Sequence, residues 1–206
     1  MPRVHRLKSF LFRRRELDSV VSMEWILASA SPRRSDLLAE AGVSFCVEPA
    51  EVIEKEDVEG DPEEVVRHNA ELKAREVASR FPQGHVLGAD TVVSLEGRIF
   101  GKPLDEAEAF ATLRQLSGKT HQVHTGVCLI FPGGREEVFS EVTLVTFRDL
   151  SDEEIRSYIR EVPVLDKAGA YALQDQGSRI VASIKGSRSN VIGLPVEAVL
   201  ARMRGR

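Results

Sequence analysis

At 206 residues, of which 42% are hydrophobic and 29% charged, the chain is long enough for one substantial core and short for two independent domains. No stretch approaches the roughly 20 consecutive apolar residues that a membrane-spanning helix needs, so we do not expect an integral membrane protein. The net charge of −4 is uneven, because residues 1–15 hold six of the 28 Lys and Arg residues and no acid; 22 basic against 32 acidic residues, or −10, remain elsewhere. Broad nucleic-acid binding relies on distributed positive charge, so we do not expect nucleic acid as a partner.

The basic segment, residues 1–22, lacks the continuous apolar stretch of a secretory signal. A nucleic-acid arm, a targeting segment and an extension without a role are all open, and we favour a disordered extension, with Met23 as an alternative start. We therefore predict one domain over residues 23–206. Cys46 and Cys128 show no CxxC or Cys/His spacing, so we expect buried free thiols in the reducing cytoplasm.

The first half of this domain is predicted to alternate strands and helices. Residues 25–28 are a short apolar run, and Ser31 before a proline predicts a helix that it caps and that ends at Gly42. After a second strand candidate at residues 43–47, residues 61–64 predict a capping box that opens a helix to about Arg80. A third strand at residues 86–89 leads through Asp90 into residues 91–95, and a hairpin turn at Glu96-Gly97 joins it to residues 98–100.

The second half is predicted to contain a long hairpin between helices. Asp105 and Glu108 form a capping pair for a helix through Leu116, which Gly118 would end. Residues 122–131 and 137–147 flank Pro-Gly-Gly, which predicts two long antiparallel strands. Ser151 and Glu154 cap a further helix, and Pro195 begins the last one. Helices alternating with strands, together with this hairpin, predict an α/β fold with a mixed sheet.

A phosphate-binding segment is predicted at residues 29–34, Ser-Ala-Ser-Pro-Arg-Arg. The hydroxyl of Ser29, backbone N–H groups and the guanidinium groups of Arg33 and Arg34 meet at a helix N-terminus, where the helix dipole favours an anion. The alternative is that Ser31 only caps the helix and both arginines are solvated. The sequence contains neither GxxxxGK[ST] nor GxGxxG, so a Walker-type phosphate site and a dinucleotide site are not indicated.

Acidic residues and lysines supply further candidates. Asp90 ends an apolar strand and is interpreted as a metal ligand or catalytic base, or else as a turn-forming residue with a local backbone hydrogen bond. Glu54 begins an acidic run, extending to Glu59, that is typical of solvated surface. Lys73 and Lys102 alone indicate surface lysines. The five histidines show no metal-binding spacing, and we assign them no catalytic role.

Seven short motifs, in this order, resemble the Maf family over residues 24–200. They are Leu-Ala-Ser-Ala-Ser-Pro-Arg-Arg at 27–34, Lys-Ala-Arg at 73–75, Gly-Ala-Asp-Thr at 88–91, Gly-Lys-Pro at 101–103, Thr-Gly-Val at 125–127, Asp-Lys-Ala-Gly-Ala-Tyr at 166–171 and Asn-Val-Ile-Gly-Leu-Pro at 190–195. One motif would be weak evidence, whereas seven in order are specific. The resemblance implies a mixed central sheet flanked by helices, with a cleft between two lobes, similar to the inosine-triphosphate pyrophosphatases.

The resemblance also implies a commonly dimeric enzyme that hydrolyses nucleoside triphosphates to the monophosphate and pyrophosphate. It makes Asp90 the proposed proton acceptor and puts Arg33, Thr91 and Gln174 at positions linked to substrate choice. Other site positions are matched by Ser29, Arg34, Glu54, Lys73 and Lys102. Thr91 and Gln174 resemble the branch that cleaves dTTP and UTP, although Asp175 stands where that pattern has glycine. The residues before Met23 have no counterpart in the family pattern.

The implied reaction uses a divalent metal cation, Mg²⁺ or Mn²⁺, which we expect to bridge phosphate oxygens and the carboxylates of Glu54 and Asp90. We expect Arg33, Arg34, Lys73 and Lys102 to neutralise the triphosphate, and Asp90 to position or deprotonate the attacking water. We expect Gln174 and Thr91 to help select a pyrimidine base, and the Gln174 amide to discriminate between bases if a neighbour such as the Thr91 hydroxyl fixes its orientation. Two alternatives remain: 7-methyl-GTP or another modified nucleotide as substrate, and a nucleotide-sensing, septum-related regulator without turnover.

Overall fold

The computed structural model describes residues 24–55 and 60–204, so the predicted extension at residues 1–22, Met23 and most of the acidic run after Glu54 lie outside it. The elements follow in the order β1 (Trp25–Leu27), α1 (Pro32–Glu40), β2 (Phe45–Val47), α2 (Pro62–Arg80), β3 (His85–Leu95), β4 (Arg98–Phe100), α3 (Glu106–Leu116), β5 (Thr120–Ile130), β6 (Glu136–Phe147), α4 (Asp152–Glu161), β7 (Val181–Lys185), α5 (Arg188–Ile192) and α6 (Val196–Met203). Two short 3₁₀ turns at Ala168–Ala170 and Gly177–Arg179 precede β7. None of the described helices is both long enough and apolar enough to span a membrane.

One seven-stranded sheet forms the centre, with the strand order β2-β1-β3-β5-β6-β7 and with β4 paired to β3. β1 runs parallel to β2 and β3, while the remaining pairs are antiparallel. Parallel pairing follows from the helices α1 and α2, which return the chain to the same end of the sheet. The turn between β5 and β6 contains Gly133 and Gly134 at φ of 86° and 87°, a region that favours glycine. The predicted mixed sheet is therefore confirmed.

β3 is paired continuously on one side and interrupted on the other. On the continuous side its residues from Val86 to Ser94 pair with β5. On the other side, pairing with β1 ends at Leu87 and pairing with β4 begins at Val93. Within the described part of the chain, residues 88–92 therefore have no strand beside them on this edge. Because side chains alternate between the two faces of a strand, this gap is reached from both faces of the sheet.

α2 lies against one face of β3 and β5, where two glycines leave room for it. A Cβ atom added to Gly88 would lie 2.4 Å from the carbonyl oxygen of Ala70, and one added to Gly126 would lie 2.2 Å from that of Val66. Gly88 lies two residues before Asp90, and Gly126 pairs with Asp90 across the sheet. α2 therefore packs tightly on the sheet beside Asp90.

The opposite face of the sheet carries two separate apolar clusters. Leu87 and Ala89 of β3 pack in one cluster with residues of α1 and α6. Val93, further along β3, belongs to a second cluster with residues of α3 and α4. Between them lie Thr91 and Thr125, which pair across the strands with their hydroxyl oxygens 3.0 Å apart. This polar pair marks a cleft between two lobes, as the family resemblance implied.

The helix starts differ in part from the predicted caps. Ser31 occupies the N-cap position of α1, but its hydroxyl makes no capping bond, and its backbone N–H donates to the Ser29 hydroxyl at 3.2 Å. Asp61 caps α2 by accepting from the Glu63 N–H at 3.0 Å, so the predicted capping box is wrong and a simple aspartate cap replaces it. The capping box of Ser151 and Glu154 on α4 is confirmed.

Two further expectations are corrected. Cys46 is exposed, because β2 lies at the edge of the sheet, whereas Cys128 is buried as expected. Asp90 does not end a strand and forms no turn. It lies in the middle of β3, which continues through it because its cross-strand partner Gly126 extends the pairing with β5.

Candidate active site

The turn after β1 is held to the sheet by Arg34, the second residue of the arginine pair. The Arg34 guanidinium is buried and donates to the Ser29 hydroxyl at 3.0 Å, to the Thr91 hydroxyl at 3.1 Å and to the Gly193 carbonyl oxygen at 2.9 Å. Burial lowers the pKa of this guanidinium, although the charges of Asp90 and Glu54 oppose the shift. Arg34 thus joins α1, β3 and the segment after α5, and brings a positive charge to the gap in the sheet.

Arg33 is held by a different partner. Its guanidinium donates to the Asp166 carboxylate at 2.8 Å and to the Asp166 carbonyl oxygen at 3.1 Å. The same carboxylate accepts from the buried Lys167 ammonium at 2.7 Å. Partial burial raises the pKa of Asp166, but the hydrogen bonds from Lys167 and Arg33 outweigh it and hold the pKa below its usual range. The two neighbouring arginines therefore have different partners.

The carboxylates of Glu54 and Asp90 converge on one ammonium group. Lys73 Nζ lies 2.8 Å from Glu54 Oε2 and 2.8 Å from Asp90 Oδ1. The other oxygen of Asp90, Oδ2, accepts from the Asn69 amide at 3.0 Å. Asn69 and Lys73 lie four residues apart on α2, so both side chains project from the same face of the helix. The close packing of α2 on Gly88 and Gly126 brings this face to Asp90.

The protonation state of Asp90 follows from its surroundings. Burial alone raises the pKa of this carboxyl group, but the charges of Lys73 and Arg34 and the hydrogen bonds from Lys73 and Asn69 together lower it below its usual range. Asp90 is therefore a carboxylate at neutral pH. A group with a low pKa is a weak proton acceptor, so this geometry favours orienting a water molecule or holding a cation over full proton abstraction.

Thr91 projects from the face opposite to Asp90. Its hydroxyl contacts the Arg34 guanidinium at 3.1 Å, the Thr125 hydroxyl at 3.0 Å and the Gly193 carbonyl oxygen at 3.4 Å. These contacts link Thr91 to the arginine turn, the segment of residues 29–34 that follows β1 and includes the start of α1. Within the described residues, the Thr91 hydroxyl makes no hydrogen bond with the Gln174 amide.

Lys102 and Gln174 are the two predicted site residues whose side chains form no hydrogen bond or ion pair within residues 24–55 and 60–204. Both are exposed and line a cleft of about 300 Å³. All nine predicted site residues line this one cleft; they are Ser29, Arg33, Arg34, Glu54, Lys73, Asp90, Thr91, Lys102 and Gln174. Residues that are up to 145 positions apart in sequence thus meet at one place.

Three residues of the site were missed as functional candidates. Asn69 carries no sequence signal, because a polar residue on a long helix is ordinarily solvated. Asp166 and Lys167 belong to a motif that carries the family resemblance, and this motif was the one available signal for them. The structure shows that they hold Arg33 in place.

Glu54 and Asp90 offer a donor set that suits a hydrated divalent cation. Mg²⁺ in nucleotide-binding sites is commonly held by one or two carboxylates, with substrate phosphates and water completing its oxygen ligands. Both carboxylates border the cleft, and their oxygens retain lone pairs beyond those that accept from Lys73 and Asn69. No cluster of three or more His, Cys, Asp or Glu side chains suited to a metal occurs in the described ranges.

Relatives of this chain with curated names share its sequence over most of their length. A dTTP/UTP pyrophosphatase of Koribacter versatilis is 48% identical over 184 residues, covering 89% of this chain and 95% of the relative. A dTTP/UTP pyrophosphatase of Thermococcus gammatolerans is 48% identical over 174 residues, covering 84% of this chain and 92% of the relative. A dTTP/UTP pyrophosphatase of Deinococcus radiodurans is 47% identical over 180 residues, covering 87% of this chain and 91% of the relative.

Solved structures of more distant proteins share the fold. The Ham1 protein of Staphylococcus aureus matches with a TM-score of 0.51 and 20% identity, covering 88% of this chain and 98% of the other. A HAM1 protein of Coxiella burnetii matches with a TM-score of 0.50 and 16% identity, covering 89% of this chain and 100% of the other. A family model described as Maf-like protein matches residues 24–206. The chain therefore belongs to the Maf-like protein family.

Proposed function

We propose that this protein hydrolyses nucleoside triphosphates between the α and β phosphates, with dTTP and UTP as substrates. The observation that carries the proposal is the charged cleft, in which the fixed carboxylate of Asp90 lies beside the arginine turn at the start of α1. The curated names of relatives at 47–48% identity support the same reaction and the same pair of substrates.

The cleft residues divide the work of binding. A triphosphate carries close to four negative charges at neutral pH, so the cleft must supply positive charge. Lys102 has no ion-pair partner in the described ranges and is free to contact phosphate oxygens. The N-terminus of α1 and the buried Arg34 add positive potential at the same edge of the sheet. We assign Ser29 and Arg34 to phosphate binding and Lys73 to both phosphate binding and orientation of the two carboxylates.

Asp90 then acts on the nucleophile. Its carboxylate accepts a hydrogen bond from a water molecule and aims the water oxygen at the α phosphorus. A bond forms between that oxygen and the α phosphorus, the bond from the α phosphorus to the bridging oxygen breaks, and pyrophosphate leaves with the bonding electrons. The proton released by the water passes to solvent. Mg²⁺ or Mn²⁺ held by Glu54 and Asp90 would supply charge neutralisation on the phosphate oxygens.

The cellular setting belongs to the same proposal. The family resemblance supports a homodimer, and the two free cysteines support a reducing, cytoplasmic compartment. Residues 23–206 are proposed as the functional unit, with residues 1–22 as an extension.

A single assay tests the proposed reaction. Purified protein with Mg²⁺ or Mn²⁺ is incubated separately with UTP, dTTP, CTP, GTP and 7-methyl-GTP in ¹⁸O-labelled water. The products are separated, and their masses are measured by mass spectrometry. We expect the monophosphate and pyrophosphate, with the label in the monophosphate and with UTP and dTTP preferred. Diphosphate and phosphate as products, a preference for 7-methyl-GTP, or binding of UTP without turnover would each contradict the proposal.

A further inference from the structure

Asn69 is a buried polar residue on α2 that the sequence did not mark and that the proposed reaction does not use directly. Its side chain is only 2% exposed, and it projects from the same face of α2 as Lys73. Buried amides are usually satisfied by whichever backbone group is near. In this protein the partners of Asn69 are two segments that each carry a carboxylate of the cleft.

Every polar atom of the Asn69 amide has a partner. The amide nitrogen donates to Asp90 Oδ2 at 3.0 Å and to the carbonyl oxygen of Lys55 at 3.1 Å. The amide oxygen accepts from the backbone N–H of Lys55 at 2.7 Å. The two contacts with Lys55 fix the backbone directly after Glu54, and the third contact fixes the carboxylate of Asp90.

Lys73 cannot set this geometry alone. An ammonium on a four-carbon stem acts as a point charge with rotatable donors, so it attracts Glu54 and Asp90 without fixing the plane of either carboxylate. Asp90 Oδ1 accepts from Lys73 and Oδ2 accepts from Asn69, so rotation of the carboxylate would break one of the two bonds. The planar amide of Asn69 therefore determines how Asp90 faces the cleft and how far it lies from the Glu54 segment.

We infer that Asn69 is a positioning residue that holds Asp90 and the Glu54 segment in their working arrangement. This inference rests on the proposed pyrophosphatase function. A misplaced reacting group lowers turnover even when substrate still binds, because productive geometry is needed only in the transition state. Loss of Asn69 should therefore act on kcat more than on KM.

Two variants separate this role from a structural one. Asn69→Leu removes all three hydrogen bonds with the same number of side-chain non-hydrogen atoms, and Asn69→Ala removes them without adding bulk or charge. We expect each folded variant to lose kcat for UTP by about 10-fold to 100-fold, the range found for partners that orient active-site ligands, with KM changed by less than about 3-fold. The Asn69→Ala variant keeps the inference testable if Asn69→Leu does not fold.

His124→Leu is the matched control. His124 is also a buried polar residue of the sheet, hydrogen-bonded to Ser94 at 2.8 Å, but it does not line the cleft. This variant should lower thermal stability while retaining kcat. A second comparison uses Asp90→Asn as background, in which adding Asn69→Leu should lower kcat by a smaller factor than it does in the wild type, because the part of its effect that acts through Asp90 is already lost.

The outcomes distinguish the inference from the function on which it rests. Release of pyrophosphate by the wild type with unchanged kcat in the folded Asn69 variants would overturn only the positioning role. A full additional loss in the Asp90→Asn background would also overturn it, since Asn69 would then act independently of Asp90. Absence of pyrophosphate release by the wild type would overturn both.

Discussion

At the scale of single residues, the carboxylate of Asp90 combines burial with a full negative charge. Asp90→Asn retains the shape of the side chain but removes that charge, so it should lower kcat by at least ~100-fold, as expected for loss of a group that orients the attacking water or holds a metal ion. Steady-state kinetics with UTP measure the loss, and circular dichroism with a thermal melt establishes that the variant is folded. Near-normal kcat in a folded variant would remove Asp90 from the mechanism.

Gln174 carries the prediction about base choice. Its exposed amide lines the cleft and can donate to O4 and accept from N3–H of uracil or thymine, a pair that cytosine matches only with the amide reversed. Gln174→Ala should therefore reduce the preference for UTP over CTP by roughly tenfold, in line with about 1–3 kcal/mol per unpaired polar group. The measurement is kcat/KM for UTP, dTTP, CTP and GTP in both proteins. If all four values fall by a similar factor, Gln174 only holds its loop in place.

Individual site residues were predictable to the extent that motif order identified them. The nine candidates that come from the seven motifs and their surroundings all line the cleft. Asn69 could not be found, because its partners Asp90 and Lys55 lie 21 and 14 residues away and the contacts arise only after α2 packs on the sheet. The contact of Arg33 with Asp166, which spans 133 residues, was beyond reach for the same reason.

At the scale of elements, the close packing of α2 on Gly88 leads to a prediction about stability. Gly88→Ala places a methyl group 2.4 Å from the Ala70 carbonyl oxygen, so α2 must move away from β3. We expect a loss of about 1–3 kcal/mol in the free energy of unfolding, typical of overpacking. We also expect a lower kcat, because α2 carries Lys73. Urea unfolding and UTP kinetics provide the two measurements.

Gly101→Ala is the control for the Gly88 variant in the unfolding measurement. It adds the same methyl group where no atom outside the adjacent residues lies within 4 Å, so its unfolding midpoint should remain close to that of the wild type. If the two variants unfold at the same urea concentration, close packing of α2 on Gly88 does not limit stability.

Most helices and strands were predicted from the capping and turn residues that mark their ends, and two elements were missed. Capping residues and apolar periodicity marked α1, α2, α3, α4 and α6, and the Pro-Gly-Gly turn marked the hairpin of β5 and β6. The missed helix α5 has five residues, too few for a helical period to be recognised. The missed strand β7 is partly exposed and pairs with β6 through an irregular register, so its existence depends on that partner.

At the scale of the whole molecule, residues 1–22 are predicted to be dispensable for catalysis. The described fold begins at residue 24, and the predicted site begins at Ser29. A protein lacking residues 1–22 should therefore retain kcat and KM for UTP. Gel filtration of the same protein should show an unchanged oligomeric state. A large fall in kcat/KM would instead show that the basic segment contributes to the cleft or to the assembly.

The gap in strand pairing along one edge of β3, at residues 88–92, has a consequence for how new substrate specificities can arise. Asp90 and Thr91 are consecutive, yet Asp90 contacts α2 on one face of the sheet and Thr91 contacts Arg34 and Gly193 on the other. The family resemblance links Thr91 to substrate choice, so we predict that substitutions of Thr91 alter which nucleotide is accepted while the contacts of Asp90 with α2 remain. A library randomised at Thr91, with Ser29 and Arg34 retained, would be a compact starting point for redirecting the protein to other nucleotides, because its members would keep the phosphate-binding groups and the carboxylates of the cleft.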